Sequence, residues 1–161
     1  PSIIMTLNRN PAYTVERGGA DEKSFVDVFE LLLQQHEEIA LAPFDQQKAV
    51  SQVWQALCDG MTFVARKDDG KAVGTLSLAE VEWWFGKHTY LTDRWFYVLP
   101  RYRRGPVGHL LLRAATAEAE ERKIPAFVDV VNPNRRHKKT SATLQAIRAG
   151  YLPVGYTLKL R

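Results

Sequence analysis

The sequence predicts an α/β layer fold: a mixed, mostly antiparallel central sheet with helices on both faces. Three observations predict it. Runs with strand-like and with helical spacing of apolar residues alternate along the chain. Asp68-Asp69-Gly70 is a hairpin signal between two of the strand-like runs. The short, mostly apolar run Ala-Phe-Val-Asp-Val-Val at 126–131 has the composition of a buried central strand.

Residues 1–20 hold two short strand candidates, 3–7 and 12–16, broken by Asn10-Pro11 and closed by Gly18-Gly19. A helix begins at Asp21, with acidic residues in its first turn and Phe25, Val28, Phe29 and Leu32 at helical spacing. His36-Glu37-Glu38 near its end is more polar. Pro43 breaks the chain, and Asp45 is an N-cap for a second helix. Val50, Val53, Trp54 and Leu57 are expected to line that helix's buried face, and Gly60 stops it.

Residues 61–66 and 72–78 are the two hairpin strands, with Gly74 marking a bulge or a close backbone approach. A connection over 80–88 carries Trp83, Trp84 and Phe85, which either cover the sheet's edge or form an exposed patch for a substrate or partner. An aromatic-rich strand follows over 89–99, then a tight basic turn. The next helix has Gly108, Leu111, Leu112, Ala115 and Ala119 on one face and Pro125 beyond its end. After the central strand comes a basic loop over 132–139. Thr140 or Ser141 caps a last helix that Gly150 stops, and 151–160 is a final strand. With no repeats, low-complexity tracts or linkers, 1–161 reads as one domain.

Composition narrows the function. Apolar residues are 45% and charged ones 25%, as in soluble globular proteins, and no apolar run is long enough to span a bilayer. The opening residues lack the basic region and apolar length of a signal peptide. The lone Cys58, read as a core residue, excludes an internal disulfide and argues against a cysteine-built metal site, so a reducing, cytoplasmic setting is expected. The four histidines lack metal-ligand spacing, and no metal is expected. Of 22 basic residues, seven fall in two clusters, Arg101-Arg103-Arg104 and Arg135-Arg136-Lys138-Lys139. The remaining 15 are outnumbered by 18 acidic ones. Two concentrated basic spots on a mildly acidic chain suit a discrete polyanion, such as a phosphorylated cofactor, better than a nucleic-acid track.

The first cluster sits where phosphate chemistry needs it. Phe96 to Leu112 reads as strand, basic turn with two glycines, and helix start. Such a turn aims unpaired backbone N–H groups and the positive end of a helix dipole at one point. No G-x-x-x-x-G-K-[ST], G-x-G-x-x-G or G-x-S-x-G motif is present to compete.

This turn, in this order of elements, resembles the GNAT superfamily of acetyl-coenzyme A-dependent N-acetyltransferases. The family signature [RQ]-x-x-G-x-[GA] is matched by Arg103-Arg104-Gly105-Pro106-Val107-Gly108, with Pro106 replacing a usual glycine. Val98 and Pro100 precede it at family spacing, and the resemblance covers residues 12 to 160. It implies the GNAT fold, in which the fourth and fifth strands splay and the pantetheine lies between them. Backbone groups from Arg103, Arg104, Gly105, Val107, Gly108 and His109 would hold the pyrophosphate. Val98, Leu99 and Asn132 would line the pantetheine, and Arg136 would reach the 3′-phosphate end. A backbone N–H near Val98 would polarise the thioester carbonyl, a donor worth about 10²–10³ in rate.

The resemblance also implies a primary amine as acceptor, on a small molecule or a peptide, and a general base on the fourth strand. Asp93 is the only acid there; a surface acid pairing Arg94 is the competing reading, and a bulge decides which face it takes. Glu80 and Glu82 are the substitutes. The tyrosine that often protonates the leaving thiolate falls on Ala146, leaving Tyr97, Tyr156 and His137 as candidates. Without that tyrosine, a non-catalytic coenzyme A-binding module is the first alternative, and a nucleic-acid-associated module, motivated by the second basic cluster, is the other. With one strand after the last helix, the acceptor side is either open or completed by a second copy of the chain in a homodimer.

Overall fold

Asp21 and Asp45 start the first two helices by accepting a backbone N–H with a side-chain oxygen. Asp21 takes the Ser24 N–H at 2.8 Å and Asp45 the Lys48 N–H at 3.0 Å. These begin α1 (Glu22–Ile39) and α2 (Gln46–Asp59). Gly60, at φ 74, ends α2 in the left-handed conformation that glycine adopts without steric cost. The computed structural model describes residues 12–129 and 146–152.

The strands are β1 (Tyr13–Arg17), β2 (Thr62–Lys67), β3 (Ala72–Glu82), β4 (Thr89–Val98) and β5 (Ala126–Phe127). They lie side by side in chain order, antiparallel from β1 to β4, with β4 and β5 parallel. A single 3₁₀ turn, Pro100–Tyr102, joins β4 to the third helix, α3 (Val107–Arg122). Mixed sheet and flanking helices agree with the expected architecture.

Side-chain alternation sorts the two faces. One carries Val64 and Trp95, packed with Val28 of α1 and with Val53 and Leu57 of α2. The other carries Val73, Leu76, Leu78 and Val98, packed with Val107, Leu111, Leu112 and Ala115 of α3. Gly74 is where α3 comes closest. A Cβ there would meet Val107 and Leu111 side-chain atoms at 3.1 Å and the Tyr97 carbonyl oxygen at 3.2 Å. The register also slips between Ala65 and Arg66 opposite this stretch, so bulge and close approach coexist.

Several expectations need correction. β3 runs on through Glu82, because its ladder with β4 reaches Thr89 and overrides the polar residues there. Trp54 is at the surface, stacked on Phe25 at 4.6 Å, and Ala56 takes its place in the core. Cys58 is exposed rather than core. Ala126 and Phe127 are half-buried, since β5 is the last strand of the described sheet. Trp83 does cover the sheet's end, against Phe85, Tyr90 and Phe127, whereas Trp84 is 93% exposed. Gly150, at φ 95, stops the last helix as expected, with its N–H on the Ile147 carbonyl at 3.0 Å. The strand candidate at 3–7, the basic loop from 132, the start of that helix and the final strand beyond 152 lie outside the described residues. Among the described residues, no helix is long and apolar enough to cross a membrane.

Candidate active site

The two edges of β4 are unequal. Toward β3 it pairs along its whole length, and Leu99 extends the ladder by donating to Val73 O at 2.9 Å. Strand alternation then turns the main-chain groups of Phe96 and Val98 to the opposite edge. There β5 pairs only with Leu91 and Thr92 among the described residues. Val128 and Asp129 are outside the ladder, so among the described residues the pairing ends at Thr92, and the main-chain groups of Phe96 and Val98 have no strand partner on that edge.

At the end of that edge the chain tightens. Tyr102 N–H bonds to Leu99 O at 2.8 Å and Gly105 N–H to Tyr102 O at 3.3 Å. Pro106 then sits at the N-cap of α3 in helical conformation, and Leu110 N–H reaches Pro106 O at 2.9 Å as the first intrahelical bond. Geometry therefore leaves the N–H groups of Val107, Gly108 and His109 without intrahelical partners. Unlike α1 and α2, this helix has no side-chain cap, and its first turn has no acidic residue. A helix terminus of this kind suits an anion. Among the described residues, a Cβ added at Gly105 would meet Tyr102 O at an ordinary 3.6 Å. Arg104 is exposed and His109 half-exposed beside this terminus.

Arg103 faces elsewhere. Its two terminal nitrogens each lie 2.6 Å from a carboxylate oxygen of Glu38, near the end of α1, and its Nε donates to Val98 O at 2.9 Å. The guanidinium is 5.4 Å from the Tyr97 ring centre, and the Tyr97 hydroxyl donates to Glu38 at 3.1 Å. The bonds from Arg103 hold the Glu38 carboxyl below the usual range. Burial, reinforced by the Glu38 charge, pushes the Tyr97 phenol up to about 12. It is a donor to Glu38 across the neutral range.

Asp93 sits where β4 and β5 separate. A bulge decides its face: Ser77 pairs with Trp95 but Leu78 pairs with Asp93, so Arg94 is the extra residue. Arg94 turns to α2 and pairs with Asp59, while Asp93 turns to the α3 face opposite buried Leu78. Its Oδ1 accepts the Asp129 N–H at 2.7 Å. It is therefore not a surface acid paired with Arg94. Burial, only partly offset by the Asp129 N–H, raises its pKa. Glu80, one of the substitutes, pairs with Leu91 in the ladder, faces Arg122 at 3.4 Å and accepts from Thr89 at 2.7 Å. Asn132, Arg136, His137 and Tyr156 lie outside the described residues.

The model of the GNAT acetyltransferase family matches residues 25–139, most of the chain. The protein belongs to the GNAT family of acetyltransferases. No curated protein matches it in sequence. Solved structures share the fold at low identity. AAC(6')-Iy, solved with the bisubstrate analogue CoA-S-monomethyl-acetylneamine, superposes with a TM-score of 0.69 at 13% identity, over 92% of this chain and 97% of that one. An acetyltransferase from Clostridium acetobutylicum with acetyl-CoA gives 0.67 at 14%, over 92% and 96%. A ribosomal-protein-alanine N-acetyltransferase from Brucella melitensis gives 0.64 at 14%, over 93% and 99%.

Acetyl-CoA is the acetyl donor of this GNAT enzyme, and the described residues fit it. The uncapped first turn of α3 suits a diphosphate. The β4 edge at Phe96 and Val98, without a strand partner among the described residues, suits an extended chain with amides, which can pair with β4 as a strand would. Sequence reading did not find Glu38. The one local signal was a pair of acids, Glu37 and Glu38, in the last turn of α1, where the helix dipole disfavours negative charge unless a cation is supplied.

Proposed function

We propose that this GNAT enzyme transfers acetyl from acetyl-CoA to a primary amine by direct attack, with Asp93 as general base. The observation that carries the reading is the N-terminus of α3, without a side-chain cap, at the end of a β4 edge that β5 pairs only at Leu91 and Thr92 among the described residues. Bound along that edge, acetyl-CoA supplies an acetyl group activated as a thioester. The main-chain N–H groups of Val107, Gly108 and His109 hold the diphosphate, and Arg104 adds charge beside them. The Val98 N–H, preorganised on the edge, donates to the thioester carbonyl oxygen.

An ammonium has no lone pair, so the acceptor must lose a proton before its nitrogen attacks the carbonyl carbon and the carbon–sulfur bond breaks. Asp93 takes that proton, directly or through water, a contribution of about 10²–10⁴. Its raised pKa brings it nearer the acceptor's than an exposed aspartate would be. Tyr97 stays bonded to Glu38 and acts as scaffold, and the departing thiolate takes its proton from water. Small amines are the acceptor class favoured by the aminoglycoside acetyltransferases among the neighbours; a peptide amine is the other arm, favoured by the ribosomal-protein-alanine enzyme.

Thiol release on mixing acetyl-CoA with aminoglycosides, polyamines and alanine-terminated peptides tests this. Release with one class identifies the acceptor. Coenzyme A binding without release from any of them would count against transfer to these acceptors.

A further inference from the structure

Glu38 belongs to no motif, yet it holds the end of the candidate donor site together. Its carboxylate takes both terminal nitrogens of Arg103 at 2.6 Å and the Tyr97 hydroxyl at 3.1 Å. Through Arg103 it reaches the Val98 carbonyl, 2.9 Å from Nε. One acid on α1 thus fixes a residue of the turn and two consecutive residues of β4, across 65 positions of sequence. A two-pronged guanidinium–carboxylate pair has one good geometry, so it constrains direction as well as distance.

The consequence falls on the open edge. Val98 presents both an N–H and a C=O there, and an extended amide chain laid against the edge could pair with either. With the carbonyl already accepting from Arg103, the N–H remains as the group Val98 offers, and the turn leading to α3 is seated before any ligand arrives. We propose that Glu38 is a positioning residue for the acetyl-CoA site: by orienting Arg103 it sets the register of the β4 edge and the approach to the α3 N-terminus. This rests on the donor site proposed above.

A rival role for the same ion pair makes the opposite forecast. If Arg103 served mainly as a phosphate ligand, Glu38 would compete with the phosphate, and Glu38→Gln would tighten coenzyme A binding. A positioning role predicts weakening, because a loosened edge and turn must be ordered on binding.

The experiment is equilibrium binding of coenzyme A to wild type, E38Q, R103K and the double variant, with melting curves recorded alongside. Wild type binds. E38Q and R103K should each weaken binding about tenfold, and the double variant should be no weaker than the worse single, because both remove one shared contact. With a working acceptor, the KM for acetyl-CoA should rise while kcat stays within about twofold, a split that a general loss of stability would not produce. Lys at 103 keeps the charge but not the fork, so it isolates geometry and does not depend on how E38Q folds. Unchanged or tighter binding by E38Q, undiminished binding by R103K, or additive losses would overturn the positioning role alone. Failure of wild type to bind coenzyme A would overturn it together with the donor site.

Discussion

Asp93 and Glu38 touch opposite faces of the same strand, and their surroundings push them apart. Burial raises Asp93, while bonding to Arg103 lowers Glu38. Two carboxyls driven in opposite directions commonly divide into a proton-handling group and a fixed charge. Asp93→Asn should therefore cut kcat by about 10²–10⁴ with coenzyme A affinity unchanged. Stability supplies an independent check. A carboxyl whose folded pKa is raised binds its proton more tightly in the native state, so its ionisation erodes stability as pH climbs through and above the ordinary aspartate range near 3.9. The asparagine oxygen can still accept the Asp129 N–H. The variant should thus melt no lower than wild type at neutral pH; slow turnover with a lowered melting point would mean that Asp93 is a strut. Sequence reading reached Asp93 as the only acid in its strand, but its face hung on a bulge at Arg94 that no residue pattern located. Glu38 was out of reach, because its partner is 65 positions away.

At the scale of elements, capping separates α3 from its neighbours. Asp21 and Asp45 announced α1 and α2 and close their first turns, whereas α3 begins behind Pro106 with its amides open. Those features were legible because caps and breakers act on adjacent residues. The run of β3 to Glu82 was not, because pairing with β4 decides it rather than local preference. Gly108→Glu, in the first turn of α3, should abolish coenzyme A binding by bulk and like charge at the diphosphate; retained affinity in a calorimetric titration would move the phosphate site elsewhere. Gly74 tests how α3 is seated. Its Cβ contacts at 3.1–3.2 Å include a backbone oxygen that cannot swing aside. Gly74→Ala should cost about 1–3 kcal/mol in denaturant unfolding and weaken coenzyme A binding, because Val107 and Leu111 must shift at the terminus that holds the diphosphate. A stability loss with unaltered affinity would show that the terminus moves as a rigid unit.

For the whole molecule, the far end of α3 is tied down by charge as well as by the apolar packing of Ala119 and Ile124. Glu118 is 5% exposed and accepts from Arg17 of β1 at 2.7 Å and from Arg122 at 2.8 Å. Arg17 also reaches the Gly60 carbonyl, so one carboxylate links α3, the first strand and the corner between α2 and β2. Burial alone would raise the Glu118 pKa, but the two guanidinium groups outweigh it and hold it below the usual range. The sign follows from linkage. A depressed folded pKa gives stability that is present above the unfolded glutamate value near 4.3 and is lost as pH falls through the folded one. Both arginines are about a third exposed, at 31% and 36%, which screens the Coulomb part, while the buried hydrogen bonds keep theirs. Glu118→Gln should therefore cost about 1–3 kcal/mol at neutral pH, chiefly from weakening bonds to a buried group. The gap between variant and wild type should narrow as unfolding is followed downward from pH 5, because protonation makes the wild-type carboxyl resemble the amide. A gap that stays constant with pH would show that shape, and not charge, fastens α3 to the first strand. In that case the orientation of the helix, and with it the aim of the diphosphate site, would rest on the contacts at Gly74.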